Sequence, residues 1–195
     1  AQKGYNERMQ RSGGMQLLLL VAVSDDDLTS VTNVAQQIVR EAQHDPTMLG
    51  VMGWPTSTSS LAAVKVLATA HIPLLSESAT SDVLTGISPY FFRMGTDMRQ
   101  ASFGAKYAVD VLKVKHVAVF EDPANAYSKS LADAFISTFT ADGRHTVIKQ
   151  LYTVKQADSL AGPIRDVMTQ HVDMIYMSGY AADASTLLAT LPPCK

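Results

Sequence analysis

Short unbroken apolar runs alternate with amphipathic helical segments along this chain of 195 residues, and few folds accept that pattern. Residues 16–23, 47–52, 72–75, 90–94, 116–121, 146–152 and 174–177 read as strands, because β-branched, aromatic and aliphatic residues predominate in each short run. Between them lie stretches of helical period. In residues 28–43, Val31, Val34, Ala35, Ile38 and Val39 recur at spacings of three and four. Further helices are expected over 59–70, from a Thr96-Asp97 cap to residue 112, and over 128–141, 157–171 and 182–191. Strands apolar on both faces need cover on both faces, which parallel sheets flanked by helices provide. The expected fold class is α/β.

Residues 53–80 concentrate the polar chemistry. Two turns, G-W-P-T-S-T-S-S and S-E-S-A-T, each follow an apolar run and are joined by one apolar helix. In a parallel sheet both turns emerge at the carboxyl ends of the strands, the edge where such sheets bind small ligands. Ser57 lies just ahead of the helix, where orphan N–H groups and the helix dipole favour an anion, and plain helix capping is the competing role. Trp54 beside the first turn is either a pocket wall or an ordinary partly buried indole.

Composition removes several classes of function. A net charge of −2 and a pI near 6.2 argue against nucleic acid as a partner. No run approaches the ~20 apolar residues of a membrane span, and residues 1–11 are polar rather than leader-like. The single Cys194 excludes an internal disulfide and a cysteine metal cluster. No nucleophile elbow, dinucleotide fingerprint, phosphate loop or H-E-x-x-H occurs, so neither an enzyme nor a cofactor is expected. Asp25-Asp26-Asp27 reads as helix-start charge ahead of Leu28 rather than a magnesium site, and the five histidines show no paired spacing. The alternation lapses between Ser81 and Asp97, which places a crossover between a first lobe, 1–96, and a second, 97–195.

The run I-P-L-L-S-E-S-A-T-S-D-V-L-T, then P-Y-F-F-R, H-V-A-V-F-E-D-P-A-N-A-Y-S-K-S-L-A and D-M-I-Y-M-S-G-Y-A-A-D-A resembles the type I periplasmic binding proteins. Within them it is most similar to the branched-chain amino acid (Leu/Ile/Val) receptors of ABC transporters. The resemblance implies two Rossmann-like lobes with parallel sheets, incomplete here at both ends, that close over an amino acid or similar small carboxylate. It assigns the ligand's carboxylate to Ser57 and the main-chain N–H of Thr80, and an ammonium group to the Ser78 carbonyl and Thr80 hydroxyl, with Ala79 between them. Tyr127 and Tyr180 would face the ligand from the second lobe, or else pack on that lobe. Asp122 and Asp183 would supply negative charge or cap helices. A transporter permease is the implied partner, in the periplasm or outside the cell; the alternative is a sensor domain of a larger signalling or transcription protein, in the cytoplasm. An unpaired sheet edge would favour a homodimer or strand exchange.

Overall fold

Residues 2–25 and 27–191 are described by a computed structural model. Helix α1 (Gln2–Ser12) ends at the Ser-Gly-Gly signal, and α2 (Leu28–His44) starts where the sequence places it. Asp27 caps α2, its Oδ1 accepting from the N–H groups of Thr29 and Ser30 at 2.9 and 3.0 Å. Strand β1 (Val51–Met52), α3 (Ser57–Leu67), β2 (Leu74–Ser76) and β3 (Phe91–Arg93) follow. Then come α4 (Arg99–Asp110), β4 (His116–Glu121), α5 (Ala126–Phe139), β5 (Thr146–Leu151), α6 (Ala161–Met168), β6 (Met174–Met177) and α7 (Ala181–Thr190).

The strands form two separate three-stranded sheets, ordered β1-β2-β3 and β5-β4-β6, and every pairing is parallel. The α/β expectation holds for this reason: parallel neighbours need a crossover, which α3 supplies between β1 and β2 and α5 between β4 and β5, while a loop with the 3₁₀ turn Asp82–Leu84 joins β2 to β3. In the first sheet, Leu74 of β2 packs with Val31 and Ala35 of α2 and Ala63, Val64 and Leu67 of α3. In the second, β4 is the central strand and its two faces serve two cores. Val117 and Val119 meet Ala101, Ala105, Leu131, Phe135 and Phe139 of α4 and α5. Ala118 and Phe120 meet Leu160, Ile164, Val167 and Leu187 on the α6–α7 side.

Several expected elements differ. Residues 16–23 are not a strand: Leu18, Leu19, Leu20, Val21 and Val23 are exposed, and the run joins no ladder. Apolar character alone does not make a strand, because the backbone groups of a strand need a neighbour to pair with. Pairing likewise trims 47–52 to β1, shifts 72–75 to β2 because Pro73 has no N–H to donate, and trims 90–94 to β3. Helices α3 and α5 begin two residues earlier than expected, at Ser57 and Ala126, since Thr56 and Asn125 cap them. Met98 rather than Thr96-Asp97 is the N-cap of α4, although Asp97 still accepts from the Arg99 N–H at 3.1 Å. Residues 157–171 divide into a 3₁₀ turn, Ala157–Leu160, and the short α6.

Replacing Phe120, fully buried at the centre of the second sheet, by alanine is expected to cost about 3–5 kcal/mol in urea unfolding. Phe92→Ala, at a ring 53 % exposed on β3, is expected to cost less than about 1 kcal/mol in the same experiment.

Candidate functional site

The two polar turns of residues 53–80 are bound to one another by serine hydroxyls. Gly53 and Trp54 leave β1 with φ of 154° and 52°, and a positive φ at a bulky residue is held only where its surroundings enforce it. Here the enforcement is visible. The Trp54 carbonyl accepts from Ser60 Oγ at 2.5 Å and from Ser76 Oγ at 3.0 Å. Ser78 Oγ donates to the Pro55 carbonyl at 2.9 Å, and the buried Ala79 N–H donates to Ser76 Oγ at 3.3 Å. Ser57 Oγ, buried, accepts from the N–H groups of Thr80 at 3.3 Å and Ser81 at 3.1 Å.

That last contact changes the expected chemistry. The Thr80 N–H is taken by Ser57 and is not a free donor. A serine hydroxyl has two lone pairs and one proton. With both amide donors directed at Ser57 Oγ, its own O–H is left to give. The buried Thr80 Oγ1 and Ser81 Oγ also have no partner among the described residues. Unused hydroxyl capacity buried at the carboxyl end of a parallel sheet is what a small polar ligand can satisfy.

Across from these turns, a cleft of about 210 Å³ is lined by Thr56 and Thr58 from the first sheet's side. Asp122, Ala124, Asn125, Val154, Lys155 and Tyr180 line it from the second. Thr56, Asn125 and Tyr180 are the N-cap residues of α3, α5 and α7. Three helix amino termini therefore converge on one cleft, and each contributes partial positive charge.

Two buried carboxylates make the second side of the cleft rigid. Asp122 accepts from the Ala124 and Val154 N–H groups, both at 2.9 Å, joining the loop after β4 to the loop after β5. Asp183 accepts from Lys155 N at 2.8 Å and Tyr180 N at 3.2 Å, joining the loop after β5 to the start of α7. Beneath them Ser128 and Ser178 exchange hydroxyl-to-carbonyl bonds, and the Tyr152 hydroxyl donates to the Ser178 carbonyl at 3.0 Å. Burial, then the nearby Asp183 carboxylate, pushes the Tyr152 phenol well above its ordinary range, and burial also raises Tyr127. Both stay neutral donors at physiological pH.

Of the residues expected to hold a ligand, Tyr180 lines this cleft, and its ring stacks on that of Tyr127 at 5.2 Å. Tyr127 itself packs against the α4–α5 core. Trp54 is buried in the first core, with Nε1 donating to Ser24 Oγ at 3.3 Å. Ser57, Ser78, Ala79 and Thr80 form the stitched floor of the turns, adjoining Thr56 and Thr58. Sequence reasoning missed Thr56 and Asn125 because it started both helices two residues late; an N-cap Thr or Asn was the available signal. Val154 and Lys155 carried no signal. Asp26 of the acidic triplet and Cys194 lie outside the described residues. Among those described, no three His, Cys, Asp or Glu side chains are grouped to hold a metal.

Parallel sheets with a ligand-sized cleft between their carboxyl edges define the class of two-sheet α/β binding proteins. A family model for periplasmic binding proteins matches residues 19–192. The chain is 33% identical over 143 residues to the Leu/Ile/Val-binding protein BraC3 of Rhizobium johnstonii, covering 72% of this chain and 38% of that protein. The leucine binding protein LivK of Thermotoga maritima superposes with a TM-score of 0.78 at 23% identity, over 95% of this chain and 52% of that one. The branched-chain amino acid transporter substrate-binding protein LivJ of Streptococcus pneumoniae, solved with isoleucine, gives 0.76 at 21% identity, over 96% and 53%. The chain belongs to the periplasmic binding protein family, and its fold is the type I fold of these solved structures. It spans 38% of the length of the rhizobial relative and about half of the two solved structures.

A Cβ on Gly179 would overlap the Tyr152 hydroxyl and come within 3.3 Å of Asp183 Oδ2. Gly179→Ala is therefore expected to cost about 1–3 kcal/mol. The cost should shrink in a Tyr152→Phe background, giving a non-zero coupling energy in a urea-unfolding double-mutant cycle.

Proposed function

We propose that this chain carries the ligand-holding cleft of an ABC-transporter substrate-binding protein for an amino acid or similar small carboxylate. Two lobes, 1–96 and 97–195, close on the ligand, and the bound molecule favours the closed state by touching both. The observation that carries the reading is the convergence of the α3, α5 and α7 amino termini on one cleft, beside a buried Ser57 whose O–H is still available. A carboxylate accepts from that hydroxyl and from the positive helix ends, at roughly 1.5–3 kcal/mol for each charge-assisted bond. Thr80 Oγ1 and the aromatic pair Tyr127 and Tyr180 complete the polar and apolar walls, with Ser78 and Ala79 setting the backbone of the second turn. The names of the relatives, one a Leu/Ile/Val-binding protein and one holding isoleucine, support an aliphatic amino acid. The cleft volume, below the ~300 Å³ of the smallest drug-sized pockets, supports a ligand of that size.

The relatives bind substrates for transport rather than transforming them, so the reading includes no reaction, and its macromolecular partner is a membrane permease. The family places such proteins in the periplasm or outside the cell, and no described helix is long and apolar enough to cross a membrane.

A panel of free amino acids and small aromatic acids in differential scanning fluorimetry is expected to yield at least one that raises the melting temperature. Calorimetry with that ligand should show Ser57→Ala weakening binding at least about tenfold. Unchanged affinity in a folded variant would remove Ser57 from the site.

A further inference from the structure

The amino terminus of α5 is only partly capped by its own residues. Asn125 Oδ1 accepts from the N–H groups of Tyr127 at 3.1 Å and Ser128 at 3.0 Å. The N–H of Ala126, the first residue of the helix, points the other way. It donates across the cleft to Thr58 Oγ1, in the first turn of α3, at 3.1 Å over a separation of 68 residues. One helical turn further along α5, Ser130 Oγ accepts from the Asp82 N–H at 2.9 Å. Asp82 Oδ1 in turn accepts from the N–H of Met98, the N-cap of α4, at 3.2 Å.

These contacts differ in place. Asp82 is tied both to the start of α4, where the chain passes from one sheet to the other, and to α5. Thr58 and Ala126 meet at the cleft itself, where Thr58 is part of the lining. Resting on the interlobe closure of the reading above, we infer that Thr58 is a latch: it completes the cap of α5 only when the lobes are closed. The Asp82–Ser130–Met98 group is the pivot about which they part. Opening returns the Ala126 N–H to water, and closing lets the opposite lobe satisfy an orphan helix donor. The latch thereby holds a closed population before any ligand arrives. Apparent affinity scales with the fraction of molecules in the competent state, so Thr58 sets affinity through that fraction as well as through contact.

The test reads the ligand-free protein. Spin labels at the exposed positions Lys65 on α3 and Arg165 on α6, as Lys65→Cys and Arg165→Cys in a Cys194→Ser background, report the distance distribution between the lobes. Thr58→Val keeps the shape of the side chain and removes the acceptor. It is expected to lower the ratio of closed to open molecules about fivefold, the worth of one ordinary hydrogen bond. Thr58→Ser keeps the acceptor and should preserve the closed population. An unchanged distribution in folded Thr58→Val overturns the latch, and so does a loss of closed molecules in Thr58→Ser equal to that in Thr58→Val. If the valine variant does not fold, Thr58→Ala is read by the same criterion. Because no ligand is present, a protein that binds none of the panel defeats the receptor reading while leaving this measurement to decide the latch; a binding protein whose distances ignore Thr58 does the reverse.

Discussion

Parallel pairing is the constraint on which the other features depend. When every strand in a sheet runs the same way, every carboxyl end reaches the same edge, and a helix that follows a strand starts there. Helix amino termini cannot then be scattered: α3 in the first sheet and α5 and α7 in the second begin where the two edges face each other. Their dipoles concentrate positive potential there, and Lys155 adds a cation among the described cleft-lining residues.

Hydroxyls and carboxylates have divided the work of satisfying that edge. On the first sheet's side Ser57, Ser60, Ser76 and Ser78 tie one turn to the next, and hold Trp54 at a positive φ that its side chain disfavours. On the second, the buried Asp122 and Asp183 each take two backbone N–H groups from successive loops. A carboxylate so occupied is a structural acceptor, and its charge is balanced by the amides it holds. The difference has a consequence for ligands. The Ser57 hydroxyl retains an O–H to give, whereas Asp122 and Asp183 already hold two amides each.

Much of the architecture was legible in the residue order. The apolar runs at Val117–Phe120 and Met174–Met177 identified two strands of the second sheet within a residue; Val117–Phe120 is buried on both faces and has no choice of polarity, and Met174–Met177 is half-buried along its length. The cap at Asp27 was legible for an equally local reason. Less legible was the run at 16–23, apolar enough for a strand yet outside both ladders, since pairing depends on a neighbour that composition does not specify. The site divides in the same way. The clustering of Ser57, Ser78 and Thr80 in adjoining turns was readable, and so was the place of Tyr180 at the end of a second-sheet strand, though not its stacking on Tyr127. That Thr80 gives its N–H to Ser57, that Trp54 turns into the core, and that Val154 and Lys155 reach the cleft were not.

The sequence by itself determined the period of each element, the parallel character of the sheets and the concentration of hydroxyls after two successive strands, because these follow from side-chain chemistry and spacing along the chain. Only the tertiary structure decided which donors those hydroxyls consume, which helix ends share a cleft and which side chains face it. The bond of Ser57 with Thr80, 23 positions apart, depends on how two successive turns of one sheet meet, and that of Thr58 with Ala126, 68 apart, on how the two sheets sit against each other. No local pattern encodes that distance.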